Sequence, residues 1–310
     1  MSDCSATLAV HEGEYVFRGG VGVGDKELLE QGWAAWDAQD WLTAARIYED
    51  LATRRPEDPR TPGLWYDAAL AHKFLRDWPR AFELGRQAAR LAEPGTGDPA
   101  FWNLGIAATV LHAWSVARDA WIGYGIGQIT PGDGEISVDL GPVCLRLAEE
   151  SGPGEVVWAQ RICPTRARVV SIPMSAPGHR FGDIVLHDGE PTGRRRTGEL
   201  TVPVFDELLV WRASEIPTWQ VDVEAPEESD YQALMDIFSM QDFGAEPQSS
   251  MHVMCKCCSE GTVEYSGPHE AAGAQTMWIA APRDSAEGLL GSWQTFDAEK
   301  RTVGVLRAVH

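Results

Sequence analysis

The chain has 310 residues, 44% of them hydrophobic and 23% charged, with a formal net charge of -20. That length allows two or three domains with cores of their own, and the composition is that of a globular protein. Half of the acidic excess, -10, falls in residues 219–310. Such a balance opposes nucleic-acid binding, which needs Lys and Arg against phosphate, and suits a basic or neutral partner.

Residues 1–24 form a lead segment. Asp3, His11, Glu12 and Glu14 break any apolar run there, so no signal peptide is expected. No window approaches 18 consecutive apolar residues, so no membrane span is expected either. Cys4, Cys144 and Cys163 are scattered without a disulfide-framework spacing, which fits a reducing, cytoplasmic setting. The glycine-rich "RGGVGVGD" (18–25) lacks the Gly-Lys-Ser/Thr of a phosphate loop. It reads as a flexible entry to a helix, with Asp25 as N-cap.

Residues 25–130 contain three internal copies. Gly32, Ala69 and Gly105 mark one equivalent position, and Ala44, Ala81 and Ala117 mark another, twelve residues later in each copy. Bulky Leu28, Trp65 and Phe101 precede the first set, while Tyr48, Gly85 and Trp121 follow the second. Small residues let two antiparallel helices approach closely, and bulky ones fill the space between neighbouring hairpins. With prolines near the copy ends (Pro56, Pro94), the pattern resembles the tetratricopeptide repeat (TPR) family.

The resemblance implies a concave face, lined by the first helix of each copy, that binds a protein or peptide. Carried over, that face holds Leu29, Trp33 and Trp36, then Tyr66, Leu70, Lys73 and Phe74, then Trp102, Asn103 and Ile106. Aromatics with one cation and one amide suit a peptide with apolar anchors. Leu29 and Trp33 stand where a carboxylate clamp would need Lys and Asn, so no chaperone-tail adaptor is expected.

Residues 131–214 carry short β-branched runs between turn signals: "ISVDL", "EVVWAQRI", "RARVVSIPM", "GDIVLHD" and "ELTVPVFDELLVW". They predict a small all-β, barrel-like unit. "HDGEPTG" reads as a turn, and "GRRRTG", with Arg194, Arg195 and Arg196, as a solvated hairpin tip. His179, Asp183, His187 and Asp188 read as turn chemistry at strand ends, with an acid/base pair or weak metal site as the alternative. His72 and His112 read as packing or surface residues of the helices. Residues 215–310 read in the order β-α-β-β-α-β, a ferredoxin-like α+β unit whose second strand is "SMHVMCK" (250–256).

The last segment carries the sharpest chemical motif. Cys255 and Cys258 have the C-x-x-C spacing that brings two thiolates to one tetrahedral ion, with His269 eleven residues on. Cys257 or His252 would complete a structural zinc site. Reduced loop thiols without metal, or a redox role, are the alternatives. No G-x-S-x-G or H-E-x-x-H motif is present. The sequence therefore predicts a multidomain α+β protein acting non-catalytically in protein–protein interaction. One form of this would neutralise a basic partner as an immunity-type protein does. The alternative is a metal-dependent enzyme, or a zinc- or redox-responsive regulator, centred on Cys255, Cys258 and His269.

Overall fold

The structure, a computed structural model, describes residues 23–148, 154–174, 178–197, 199–250, 262–264 and 273–309. It is a mixed α+β protein whose chain divides into two compact units, residues 1–138 and 139–310. Among the described residues no helix is long and apolar enough to cross a membrane.

The first unit is helical: α1 (Val23–Asp37), α2 (Trp41–Arg54), α3 (Thr61–Phe74), α4 (Trp78–Leu91), α5 (Pro99–Val110) and α6 (Trp114–Tyr124). Each helix packs on its chain neighbours, and α3 also touches α5. The three hairpins turn in the same way. Gln39, Arg76 and His112, spaced 37 and 36 residues apart, each take a left-handed φ of 58°, 56° and 56°. In each turn the next amide returns to a carbonyl five residues back: Asp40 to Ala35, Asp77 to His72, Ala113 to Ala108. These bonds satisfy helix-end carbonyls that would otherwise lack partners. The Asp40 and Asp77 carboxylates then cap α2 and α4 by accepting from the amides of Thr43 and Arg80.

Within the hairpins, small and large residues trade places. A Cβ on Gly32 would lie 2.7 Å from the Tyr48 ring, and one on Gly105 would lie 2.5 Å from Trp121. In the middle hairpin the large partner is replaced by Gly85, where a Cβ would sit 3.5 Å from Leu104 of the next hairpin. Asp25 is not an N-cap: α1 begins at Val23, and the Asp25 carboxylate pairs with Arg55 at 2.6 Å and Arg54 at 3.6 Å. The unit runs past the expected limit at 130, because Arg118 of α6 donates to the carbonyls of Thr130, Gly134 and Glu135. "ISVDL" forms no strand there.

The second unit opens with a ring of strands: β1 (Pro142–Arg146), β2 (Val156–Cys163), β3 (Arg166–Val169), β4 (Ile184–Thr197) and β5 (Leu200–Arg212). Four antiparallel steps bring β5 back in the direction of β1, and the two pair in parallel. Val143, Leu145, Val157, Ala167, Val185 and Phe205 fill the core. "HDGEPTG" is not a turn. Pairing passes from His187–Glu207 to Pro191–Phe205, so the extra residues bulge within one long strand templated by the continuous β5. "GRRRTG" runs to the end of the β4–β5 hairpin as strand, and of its arginines only Arg194 and Arg196 are exposed. Arg194, Arg195 and Arg196 pair with Pro203, Val202 and Thr201, and alternation buries Arg195. The backbone of β8 (Thr262–Glu264) extends this sheet along β4.

A second sheet follows from β6 (Thr218–Ala225), α7 (Glu228–Ser239), β7 (Gly244–Pro247), β9 (Gly273–Ala280), α8 (Arg283–Thr295), β10 (Thr302–Val303) and β11 (Arg307–Ala308). Its order is β10-β6-β9-β7, with β11 also on β6 and every pair antiparallel. Tyr231, Leu234 and Phe238 of α7 and Leu290 and Trp293 of α8 pack on Val221, Val223, Met277 and Ile279 of the sheet. A strand follows α7 at Gly244–Pro247, where Asp242 (φ 57°) turns the chain straight back after the helix; residues 251–256 of the expected strand lie outside the described residues. The expected break near 214 falls inside this compact unit. Ile172 and Phe181 from the β3–β4 connection pack on Trp278 and Ala280 of β9.

Candidate functional site

The hairpin geometry gathers an aromatic and cationic cluster at the end of α1, the start of α2 and the end of α3. Trp36 meets Trp41 at 5.0 Å, Phe74 at 6.0 Å and Tyr48 at 6.2 Å, and Trp41 meets Phe74 at 4.7 Å. Such tilted and edge-on ring pairs add to burial by the complementarity of ring face and edge. The Lys73 ammonium lies 5.9 Å from the Phe74 ring centre and donates to Asn103 Oδ1 at 3.1 Å, tying α3 to α5. Phe74 stays 44% exposed while Lys73 is 6% exposed, so the cluster offers an apolar surface above a held cation.

Of the residues the repeat pattern assigns to the face, the structure brings together Trp36, Lys73, Phe74 and Asn103. Trp33 is exposed and makes no ring contact among the described residues. Tyr66 is half-buried on α3. Trp102 turns into its own hairpin, 5.1 Å from Trp121 and 4.8 Å from Tyr124, with its Nε1 buried and unbonded among the described residues. It serves packing more than display.

Two residues join the site from outside that pattern. Trp41 opens α2, and Trp78 and Trp114 open the equivalent helices 37 and 36 residues on, so the repeat itself carries the signal. Asp67 shares an α3 face with Leu70 and Phe74 by helical spacing. Burial raises its carboxyl from 3.8 to about 6, and it has no partner among the described residues. Nothing in the local sequence announces this, because its desolvation comes from tertiary packing.

Elsewhere the polar chemistry is mostly closed. His72 bridges Glu49 at 3.2 Å and Asp77 at 3.1 Å, and His112 occupies a hairpin turn. His179 Nε2 lies 2.8 Å from Glu207 Oε2, both buried, and this hydrogen bond raises the imidazole pKa against the cost of burial. Asp183 accepts from the amides of Arg180 and Ser214, which is turn chemistry. His187 is wholly buried, stacked on Phe205 at 4.7 Å, and burial lowers its pKa to about 4. Its Nδ1 donates to the Asp188 carbonyl.

Cys255, Cys257, Cys258, His252 and His269 lie outside the described residues. Among the described residues no group of three or more His, Cys, Asp or Glu is arranged to hold a metal. Cys144 and Cys163 are free, buried thiols. Burial pushes the Cys144 thiol up to about 12, so it is not a nucleophile at neutral pH.

No family model matches the chain, and no curated protein matches it. Among solved structures, a hypothetical protein from Neisseria gonorrhoeae is similar over 55% of this chain and 94% of that one, at 13% identity and a TM-score of 0.21. A likeness that low carries no argument about fold or function.

Proposed function

We infer that this chain is a non-catalytic interaction protein that binds a protein or peptide partner through the face around Trp36, Trp41, Phe74 and Lys73. In this reading the helices are a tetratricopeptide-like array, and the five-stranded ring and the β10-β6-β9-β7 sheet are a barrel-like and a ferredoxin-like unit. One observation carries it. Lys73 is held by Asn103 across adjacent first helices, directly beside an aromatic cluster whose Phe74 remains exposed. Buried aromatic anchors around a positioned polar group are the usual make-up of an energetic centre in an interface. The net charge of -20 and Asp67, without a partner among the described residues, favour a partner with basic surface, the immunity-type case included.

The test is affinity capture of the tagged full chain from its own host, in parallel with Phe74→Ala and Lys73→Gln variants that melt like the wild type. A partner retained by the wild type, lost by both variants and weakened by salt is the expected outcome. A partner retained equally by all three overturns the placement of the site. Insensitivity to salt and to charge reversal in residues 222–230 overturns the basic-partner form.

A further inference from the structure

The second unit contains a cleft of about 840 Å³ that the interaction face does not use. One wall is the outer face of the ring. Strand alternation points Ala159, Ala167 and Val169 into the core, and Gln160, Ile162, Arg168 and Val170 outward to line the cleft. The other wall is the second face of α7. Gln232, Met235, Asp236 and Ser239 follow the i, i+3, i+4, i+7 spacing, one face round from the core residues Tyr231, Leu234 and Phe238. Asp242, Phe243 and Glu246 continue that wall into β7.

Charge is segregated across the cleft. The ring wall carries Arg168, whose side chain has no ion pair or hydrogen bond among the described residues, and Arg212, stacked 4.8 Å over Trp211. The facing wall carries Asp236, Asp242 and Glu246. Ile162, Val170, Met235 and Phe243 supply apolar surface between them. The volume falls in the range of small-ligand sites, about 300–1,000 Å³, and polar and apolar groups share the lining.

We propose that this cleft binds a short apolar peptide with free ends, its carboxylate on the Arg168 and Arg212 wall and its ammonium on the Asp236 and Glu246 wall. An anion alone would leave three carboxylates facing it, and a cation alone would face two guanidinium groups. A zwitterion sets each of its charges against the wall of opposite sign, which favours it over an ion of either sign alone. The Glu246 carboxyl supports the ammonium end. One oxygen accepts from the Ile172 amide at 3.0 Å, and burial together with the Glu155 charge raises its pKa to about 7. An ammonium beside it restores the ionised form.

The experiment is calorimetric titration of the full chain with Leu-Leu and Leu-Leu-Leu, each with free ends, N-acetylated and C-amidated. Binding of a free peptide is expected to weaken about ten-fold or more when either end is blocked. Arg168→Gln should abolish the penalty of amidation, and Asp236→Asn should reduce the penalty of acetylation. Both positions are exposed, and unchanged melting temperatures confirm that the variants fold. Absence of binding by both free peptides at millimolar concentration overturns the proposal. So does equal binding of free and blocked forms, or a penalty at the carboxylate end alone, which would make the cleft an anion site.

Discussion

Glu246→Gln isolates the electrostatics of the second unit. Burial, with a contribution from the Glu155 charge, raises the Glu246 carboxyl from 4.5 to about 7. Between those values the folded protein holds a proton that the unfolded chain has released. Stability therefore falls as pH rises from 4.5 to 7 and levels off above that. The gap of about 2.5 pH units corresponds to about 3.4 kcal/mol at 1.36 kcal/mol per unit, and solvent screening at a partly accessible side chain leaves about half. Glutamine keeps an oxygen for the Ile172 amide, so the bond from Ile172 N to Oε1 at 3.0 Å survives the change. The variant should match the wild type at pH 4.5 and exceed it by about 1.5–2 kcal/mol at pH 8. Urea unfolding followed by tryptophan fluorescence at four pH values between 4.5 and 8 measures the difference directly. A difference that stays constant with pH would refute the reasoning. A variant that loses ground as pH rises would show that Glu246 is ionised and stabilised by a cation.

The helical unit gives a sharper packing contrast. Gly105→Ala places a methyl 2.5 Å from the fully buried Trp121 ring and should cost about 1–3 kcal/mol, whereas Gly85→Ala meets Leu104 at 3.5 Å and should gain up to about 1 kcal/mol of helix propensity. Thermal melts of the two variants decide this, and equal shifts would contradict it. Asp67→Asn removes a carboxyl raised by burial from 3.8 to about 6, so the variant should be about 1–2 kcal/mol more stable than wild type at pH 8 and equal to it at pH 4. With a basic partner on that face, wild-type affinity should rise through pH 6 and the variant's should stay flat; parallel profiles would exclude Asp67 from the contact. The Cys255, Cys258 and His269 spacing predicts one zinc per chain, lost in a Cys255→Ser/Cys258→Ser double variant; elemental analysis of protein purified without added metal checks it, and a metal-free wild type ends that reading.

The helical unit was the most legible part of the sequence because its constraints are local and repeated. Small residues at Gly32, Ala69 and Gly105 recur where helices must approach, and the hairpin turns at Gln39, Arg76 and His112 recur at the same spacing. The ring was less legible. A strand of the length of β4 contains Gly189, Pro191 and Gly193, each a turn signal by itself, and only the pairing with β5 turns them into a bulge. The three arginines misled for a related reason. Alternation places one of every two strand residues inward whatever its charge, and Arg195 is the one that faces in. In the second sheet the element order was readable from periodicity. The strand at Gly244–Pro247 was not, because it depends on Asp242 adopting a left-handed turn that Asp tolerates without demanding.

The candidate sites divide along the same line. Trp36, Lys73, Phe74 and Asn103 could be placed from repeat phase alone, since equivalent positions in stacked hairpins share a face. Trp102 could not be separated from them, because whether an aromatic at that phase displays itself or packs inward is decided by its neighbours, here Trp121 and Tyr124. Asp67 and Glu246 left no trace in the sequence at all. A carboxylate acquires a raised pKa only when distant segments close over it without supplying a cation, and no local pattern records that event. Asp67 shares a helix face with the exposed Phe74, and Glu246 lines the cleft of about 840 Å³. Half-buried acids whose pKa values burial raises are the physical reason to look for cationic groups arriving from outside the chain.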